Sequence, residues 1–158
     1  MYYSSYETSL DPVYICEDKG FVTHLGFGKK PPFAATERDS PLMCRAHAQL
    51  KEYLGGGRTS FGLPLCPEGT PFEQAVWQQL QAIPYGETIT YGELARRVGR
   101  PRAARATGSA CGKNPIAIFI PCHRVLGQNG GLTGYAWGEE RKAALLELEG
   151  NAAGEEGK

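Results

Sequence analysis

The chain has 158 residues, of which 41% are hydrophobic and 22% are charged, and its 17 cationic side chains balance its 17 anionic ones. This composition excludes global disorder, and the zero net charge argues against a generally basic nucleic-acid-binding protein. No apolar run approaches the ~20 residues that span a bilayer, and the first residues have no secretory signal pattern. Five scattered cysteines without a CxxC pair favour a reducing compartment, so we expect a cytoplasmic protein.

The N-terminal half predicts short strands and one helix. Residues 13–27 alternate apolar and polar side chains around a turn at 17–20, which is typical of a β-hairpin. Leucine and alanine side chains four residues apart over residues 40–54, followed by three glycines, predict a helix. Residues 61–65 predict a further strand, which Pro64 would place at a sheet edge.

A turn-rich segment at residues 66–69 divides the chain. We expect an N-terminal domain over residues 1–67, a C-terminal domain over residues 68–150 and a polar tail over residues 151–158. The sequence contains no internal repeat.

The second half predicts a helix-turn-helix. Residues 70–73 form a capping box with proline at the first helical position, and the helix that they open ends near residues 84–86. A second capping box at residues 90–93 opens a short helix that Gly99 ends, and Pro101 begins a third helix after a tight turn. The third helix is rich in small residues with arginines between them. That composition suits either a nucleic-acid groove or close packing against another helix.

Positive charge is concentrated in this helix-turn-helix. Residues 91–113 carry six cations and one anion, a net charge of +5, whereas residues 1–69 carry seven cations and eight anions. One basic stretch on a neutral protein indicates a surface that faces phosphates. The alternative is an arginine-rich helix face that is simply solvated.

The last part of the chain carries the candidate nucleophile, Cys122. Residues 116–120 form a short apolar run between prolines, which predicts a buried strand that leads into Cys122. A glycine-rich loop over residues 127–138 and a helix over residues 139–149 follow. A nucleophilic cysteine must be ionised, and nearby cations or helix N-termini lower its pKa from about 8.5. The alternative is a buried cysteine with no chemical role.

Two polar side chains and a turn support a reactive Cys122. Glu149 shares the apolar face of the last helix, and His123 is its candidate partner, which would give a Cys–His–Glu relay. Asn114 lies in a turn before the apolar run and could hold the loop that carries Cys122. A solvated last helical turn and an ordinary structural turn are the alternatives for Glu149 and Asn114.

Several stretches closely resemble the O6-alkylguanine-DNA alkyltransferase family, namely YGELARRVGRPRAARATGSACG, KNPIAIFIPCHRVLGQNGGLTGY and the closing LELEG. The resemblance covers residues 70–150, about half of the chain. It implies an α+β protein, with a small RNase H-like α/β domain followed by a mostly helical winged-helix domain that contains the helix-turn-helix. It also implies direct-reversal DNA repair, in which the alkyl group of a flipped O6-alkylguanine passes irreversibly to the enzyme's own cysteine. O4-alkylthymine is a further candidate substrate.

The resemblance also implies catalytic roles for individual residues. Cys122 would accept the alkyl group, and His123 would act as its base through a water molecule. Glu149 would orient His123, and Asn114 would brace the turn that carries the cysteine. Tyr91 would contact the phosphate beside the lesion and donate a proton to the departing base.

A second group of residues would contact DNA or form the base pocket. Arg105 would fill the space that the flipped base vacates, and Arg100 of the basic stretch is a further candidate DNA contact. The residues expected to form the guanine pocket are Val125, Tyr135, Ala136 and Trp137. Trp137 would narrow the pocket mouth against bulky alkyl groups, or it would pack against the closing helix instead.

We expect a monomer that binds double-stranded DNA carrying O6-alkylguanine, with no membrane partner and no cofactor. We expect no metal, because the N-terminal cysteines and histidines lack a ligand spacing. Two other classes of protein remain open. One is a helix-turn-helix DNA-binding protein without alkyl transfer, and the other is a cysteine hydrolase that turns over with Cys122 and His123.

Overall fold

The computed structural model of the protein describes residues 1–132 and 134–150, so the predicted tail at residues 151–158 lies outside the described residues. The chain divides into two compact units. The N-terminal unit contains Met1–Glu68 and Pro115–Phe119, and the C-terminal unit contains Gly69–Asn114 and the chain from Ile120 onward.

A four-stranded sheet forms one side of the N-terminal unit. Its strands are β1 (Tyr2–Tyr6), β2 (Val13–Asp18), β3 (Phe21–Phe27) and β4 (Thr36–Glu37), in the spatial order β3-β2-β1-β4. β2 is antiparallel to both of its neighbours, whereas β4 is parallel to β1. The predicted hairpin is therefore confirmed. Its turn contains Lys19 and Gly20, both with positive φ (53° and 86°), which is the backbone that tight turns between strands require.

Helix α1 (Pro41–Leu54) packs against β2 of this sheet, as its hydrophobic spacing predicts. The Ser40 hydroxyl begins the helix by accepting a hydrogen bond from the Met43 N–H at 3.1 Å. Its inward face consists of Met43, Ala46, Leu50 and Tyr53, all with 0% exposure. These side chains and the buried residues of β2 and β3 form the core of the unit.

Neither apolar run expected as a strand forms one. The first run makes one isolated β-bridge, and the second makes isolated bridges on both sides of a turn at residues 118–119. Leu65 bridges Val22, and Ile116 bridges Leu25, each in parallel. In the first run Pro64 has no N–H to extend a ladder. In the second run the backbone of Ile118 adopts φ +70°, which turns the chain away from the sheet. The expectation of strands was wrong at both places, although residues 116–120 are all buried as predicted.

Residues 115–119 group with the N-terminal unit in space, although they follow residue 68 in the chain. Backbone hydrogen bonds to Leu25 of β3 explain this placement. The Leu25 N–H donates to the Pro115 carbonyl at 3.0 Å, and the Leu25 carbonyl accepts from the Ala117 N–H at 3.0 Å.

The C-terminal unit is mostly helical. Its elements are α2 (Pro71–Gln81), β5 (Ile89–Thr90), α3 (Tyr91–Arg97), α4 (Ala104–Gly112), a 3₁₀ turn (Cys122–Arg124), β6 (Val125–Leu126) and α5 (Glu139–Leu148). β5 and β6 pair in parallel as a two-stranded sheet. The Trp77 indole N–H of α2 donates to the Ala110 carbonyl of α4 at 2.9 Å, which fixes α4 against α2. In the part of the chain that the structure describes, no helix combines the length and the apolar character of a membrane span.

The capping predictions differ in outcome. At α2 both reciprocal bonds of the capping box are present, since Thr70 accepts from the Glu73 N–H at 3.1 Å and Glu73 accepts from the Thr70 N–H at 3.0 Å. At α3 the Thr90 hydroxyl caps the Glu93 N–H at 3.1 Å, but the Glu93 carboxylate pairs with two arginines of the same helix. The prediction that α4 begins at Pro101 was wrong. A turn, closed by the Ala103 N–H on the Arg100 carbonyl, delays the helix to residue 104.

Candidate active site

Cys122 opens the 3₁₀ turn and is nearly buried, with 6% exposure. Its backbone N–H donates to the Ile120 carbonyl at 2.8 Å, which fixes the sulfur relative to the preceding chain. The Asn114 side-chain amide donates to the same carbonyl at 2.8 Å and to the Cys122 Sγ at 3.3 Å. An N–H aimed at a sulfur stabilises the thiolate over the thiol. Asn114 therefore braces the turn and also contacts the sulfur itself.

A second buried thiol lies beside Cys122. Cys111 is in the last turn of α4, is 2% exposed, and has its Sγ 4.0 Å from the Cys122 carbonyl oxygen. The hydrogen bond from Cys111 is the largest influence on the pKa of Cys122. Together with the Asn114 amide and the charge of Lys142, it lowers that pKa although burial opposes the shift. The same hydrogen bond and burial raise the pKa of Cys111. The Asn114 amide and the charge of Lys142 therefore favour the thiolate form of Cys122.

Lys142 of α5 brings a buried charge to the same place. Its side chain is fully buried, and its Nζ lies 5.6 Å from the centroid of the Tyr91 ring. Burial lowers the pKa of Lys142, while the two neighbouring cysteines act in the opposite direction. A buried cation near a thiol favours the thiolate.

His123, Arg124 and Glu149 form a buried ionic cluster. The His123 Nε2 lies 2.8 Å from the Glu149 Oε2. Arg124 donates to both carboxylate oxygens at 2.9 Å and to the Ile83 carbonyl at 2.6 Å. Burial lowers the pKa of His123, against the opposing influence of Glu149, so the imidazole is neutral at neutral pH. A neutral imidazole next to a carboxylate that holds its orientation is suited to accept a proton.

An open cleft of about 550 Å³ lies between α3, α4 and the glycine-rich loop. Its walls are formed by Thr90, Tyr91, Gly92, Arg96, Ala104, Arg105, Gly108, Gln128 and Gly134. Glycine is required at position 134, because its φ is +91° and a Cβ there would stand 2.6 Å from the Tyr91 hydroxyl oxygen. Burial and the nearby cysteines Cys111 and Cys122 raise the pKa of Tyr91, so its hydroxyl keeps its proton.

Among the residues that the structure describes, the remaining candidates do not line this cleft. The Arg100 guanidinium lies over the Phe72 ring, 5.7 Å from its centroid. Val125 and Tyr135 are buried, Ala136 is exposed, and Trp137 is partly exposed with its carbonyl bonded to Arg141. Their contacts with DNA or guanine stay predictions.

The basic stretch is partly neutralised within α3, because Glu93 pairs with Arg96 at 2.6 Å and with Arg97 at 3.0 Å. Arg102 and Arg105 are exposed, and Arg105 lies on the cleft wall. Over residues 1–132 and 134–150, no group of three or more His, Cys, Asp or Glu side chains is arranged to hold a metal ion.

Comparison with known proteins decides between the open classes. Residues 1–67 match the ribonuclease-like domain of 6-O-methylguanine DNA methyltransferase, and residues 71–151 match its DNA-binding domain. The chain belongs to this methyltransferase family. The family resemblance of the sequence is thereby confirmed.

Relatives of this methyltransferase match over nearly their whole length. A methylated-DNA–protein-cysteine methyltransferase of Methanosarcina acetivorans is 46% identical, and the match covers 96% of this chain and 99% of the relative. The constitutive enzyme of Bacillus subtilis is 44% identical over 94% of each chain. The Mycobacterium tuberculosis OGT protein, solved in complex with DNA, superposes with a TM-score of 0.88 at 43% identity, covering 94% of this chain and 92% of that one.

Reasoning from sequence missed three residues of the candidate site, namely Cys111, Arg124 and Lys142. A signal was available for Lys142, which precedes Glu149 by two helical turns and therefore shares its buried face. The other two had no local signal, because their roles depend on contacts with distant parts of the chain.

Proposed function

We propose that this protein repairs DNA by direct reversal, with the Sγ of Cys122 as the acceptor of the alkyl group of O6-alkylguanine. The environment of Cys122 supports this proposal most directly. Its sulfur is nearly buried, has a lowered pKa and accepts a hydrogen bond from the Asn114 amide at 3.3 Å. The next residue in the chain, His123, is a neutral histidine. The thiolate attacks the alkyl carbon, and the bond from that carbon to O6 breaks as the new carbon–sulfur bond forms. The product is a thioether with no easy route back to the thiol, so each molecule acts once.

His123 serves as the base that removes the proton of Cys122. Its Nε2 is bonded to Glu149, which leaves Nδ1 as the ring nitrogen that exchanges a proton with the sulfur through a water molecule. The bidentate contact with Arg124 holds the Glu149 carboxylate in place as the imidazole becomes charged.

The departing guanine carries the electron pair of the broken bond and needs a proton. Tyr91 supplies it, because this hydroxyl lines the cleft and keeps its proton at neutral pH. Neutralising the leaving group in this way lowers the barrier of the displacement. The guanine base lies in a pocket formed by Val125, Tyr135, Ala136 and Trp137.

DNA is bound through α3 and α4, which form the helix-turn-helix. The small side chains of α4 allow it to approach the minor groove closely, and Arg105 on the cleft wall occupies the space that the flipped base leaves. Arg100 contacts the backbone phosphates. The pairing of β5 with β6 beside these helices supports a winged-helix domain, and the mixed sheet with α1 supports an RNase H-like N-terminal domain. We assign a monomer in the cytoplasm, where its five free thiols stay reduced.

Intact-mass analysis tests this function. Mixing the protein with a duplex that carries O6-methylguanine should add the mass of one methylene group, and peptide mapping should place it on Cys122. Cys122→Ser should abolish the gain and retain DNA binding, since affinity comes from the phosphate contacts. Cys66→Ala, which removes an exposed thiol, is the matched control and should react like the wild type.

Two outcomes would contradict the proposal. Binding without any mass gain would indicate a DNA-binding protein without alkyl transfer. Transfer that continues beyond one equivalent would indicate a hydrolase.

A further inference from the structure

Glu93 repeats at α3 the sequence motif that caps α2, but its carboxylate has different partners. At α2 the Glu73 carboxylate bonds back to the Thr70 N–H, which completes the capping box. At α3 the Glu93 carboxylate instead accepts hydrogen bonds from two arginines of its own helix. No step of the proposed reaction uses these contacts.

Glu93 neutralises one of the two positive charges that Arg96 and Arg97 contribute. Its Oε1 accepts from the Arg96 Nε at 3.0 Å and from the Nη2 of the same guanidinium at 2.6 Å, and its Oε2 accepts from the Arg97 Nε at 3.0 Å. These hydrogen bonds lower the pKa of Glu93, so the carboxylate is charged at neutral pH. It is the single anion in residues 91–113, which carry six cations.

Arg96 lines the cleft beside the helices that bind DNA in the proposed function. It shares the cleft wall with Tyr91 and Arg105, and 61% of its side chain is exposed. Ion pairs as exposed as this one contribute little to stability. A guanidinium also binds a phosphate with the same pair of N–H groups that it offers to a carboxylate. Arg96 can therefore exchange Glu93 for a phosphate without disturbing the core.

We propose that Arg96 is a further DNA contact and that Glu93 limits the affinity of the protein for undamaged DNA. In the free protein Glu93 holds the Arg96 guanidinium, and on binding a backbone phosphate takes its place. The broken ion pair offsets part of the gain from the phosphate contact. This inference rests on the proposed binding of DNA through α3 and α4.

The exchange acts differently on undamaged and alkylated sites. Irreversible alkyl transfer commits the protein at an alkylated site, and the flipped base adds contacts there. On undamaged DNA only the affinity for the duplex retains the protein, and phosphate contacts supply most of that affinity. Glu93 therefore shortens the time spent on undamaged DNA and leaves the chemical step unchanged.

The test is binding of an undamaged, fluorescently labelled duplex to the full-length protein, measured by anisotropy over a series of salt concentrations. Glu93→Gln removes the charge and keeps the shape of the side chain, so Arg96 meets the phosphate without first losing an ion pair. We expect binding roughly fivefold tighter at about 0.1 M salt, with a slope of log affinity against log salt steeper by about 0.9. Glu52→Gln is the matched control, because it removes a carboxylate that pairs with Arg58 at 2.8 Å outside the helix-turn-helix.

Arg96 is tested by a variant of its own. Arg96→Gln leaves Glu93 paired with Arg97, and it should bind the duplex about threefold more weakly than the matched control Arg58→Gln. In the double variant, most of the gain from Glu93→Gln should be lost, because the two residues act as a pair. Near-ultraviolet circular dichroism shows whether the fold is retained, and Arg96→Gln keeps the test decisive if Glu93→Gln disrupts α3.

Competition by undamaged DNA measures the consequence for repair. Methyl transfer from an O6-methylguanine duplex is timed with increasing amounts of undamaged duplex. The amount of competitor that halves the rate should be about fivefold lower for Glu93→Gln than for Glu52→Gln. Coinciding competition curves would show that Glu93 does not limit retention on undamaged DNA, and would overturn the inference.

Three results of the binding experiment would also overturn it. The first is a Glu93→Gln variant that binds like Glu52→Gln, since Glu93 would then only stabilise α3 through pairs within the helix. The second is a double variant that binds as tightly as Glu93→Gln, since Arg96 would then not be the phosphate contact. The third is an Arg96→Gln variant that binds as tightly as Arg58→Gln.

Failure of this inference is distinguishable from failure of the proposed function. The expected changes in duplex binding, without any methyl transfer in the wild type, would leave the roles of Glu93 and Arg96 standing and refute the proposed function. Methyl transfer in the wild type, with every variant binding like its control, would do the reverse.

Discussion

Two side chains of opposite charge, Lys142 and Glu149, are buried near the turn that contains Cys122. Lys142 is fully buried near the two thiols, while Glu149 is buried between His123 and Arg124. Burying a charge is costly unless it has a partner or performs a task. Glu149 is paired with His123 and Arg124, whereas the charge of Lys142 favours the thiolate of Cys122.

Replacing Lys142 tests whether its charge favours ionisation of the Cys122 thiol. Lys142→Met keeps the length and apolar stem but removes the cation, so the pKa of Cys122 should rise. We expect single-turnover methyl transfer at neutral pH to slow by roughly tenfold, the equivalent of about one pKa unit. The deficit should shrink at pH 9, where the thiolate forms without help. An equal deficit at both pH values would show that Lys142 acts on a step other than ionisation of the thiol.

Glu149 should matter for both stability and rate. Glu149→Gln leaves the Arg124 guanidinium buried without its anion, which should lower the free energy of unfolding by about 3–5 kcal/mol. His123→Gln and Glu149→Gln should each slow methyl transfer. The double variant should be little slower than either, because the two residues act as one relay. Denaturant titration gives the first quantity and single-turnover kinetics the second, and multiplicative losses of rate would argue against coupling.

At the scale of elements, the glycine-rich loop shapes the cleft against α3. Gly134 and Gly130 both have positive φ, at +91° and +83°, but only Gly134 lies against another side chain. The Tyr91 hydroxyl occupies the space where a Cβ at Gly134 would stand, while a Cβ at Gly130 would meet open space. The loop therefore approaches Tyr91 as closely as a glycine allows.

A pair of alanine substitutions separates close approach from backbone strain. Gly134→Ala and Gly130→Ala should both cost about 1 kcal/mol or more of stability, because alanine disfavours positive φ. Only Gly134→Ala should displace Tyr91 and slow methyl transfer, by an amount well beyond that of the control. If the two variants transfer methyl at the same rate, the position of Tyr91 against the loop does not matter for the reaction.

On the scale of the whole molecule, histidine burial links folding to pH. Burial lowers the pKa of all three histidines, His24 and His47 in the N-terminal unit and His123 in the C-terminal unit. Below the unperturbed value of about 6.5, the unfolded chain binds protons that the folded chain does not. Stability contributed by these groups is therefore present above about pH 6.5 and is lost as the pH falls towards their folded values.

We expect the free energy of unfolding, measured by denaturant titration, to be smaller at pH 5.5 than at pH 7.5. A His24→Gln variant should show a weaker dependence than the wild type, because one of the three groups no longer titrates. The carboxylates of Asp39 and Glu93, whose pKa values are lowered by hydrogen bonds, add their losses only at more acidic pH. A free energy that stays constant over this range would contradict the prediction.

The sequence by itself determined the features that depend on neighbours in the chain. The β2–β3 hairpin, the capping box at Thr70 and helix α1 follow from turn residues, caps and hydrophobic spacing, all of which act over a few residues. The motif around Cys122 and the closing LELEG likewise identify the family without coordinates.

Only the tertiary structure decided which distant groups meet. The apolar runs ending at Leu65 and Ile120 could not be told from strands, because a ladder depends on a partner strand that local sequence does not specify. Cys111, Arg124 and Lys142 reach the site from α4, the 3₁₀ turn and α5, and their chemistry arises only where these elements converge. Burial where these elements converge strengthens the interactions of each charge and each donated proton. Burial exists only in the folded chain, so the sequence alone does not specify these interactions.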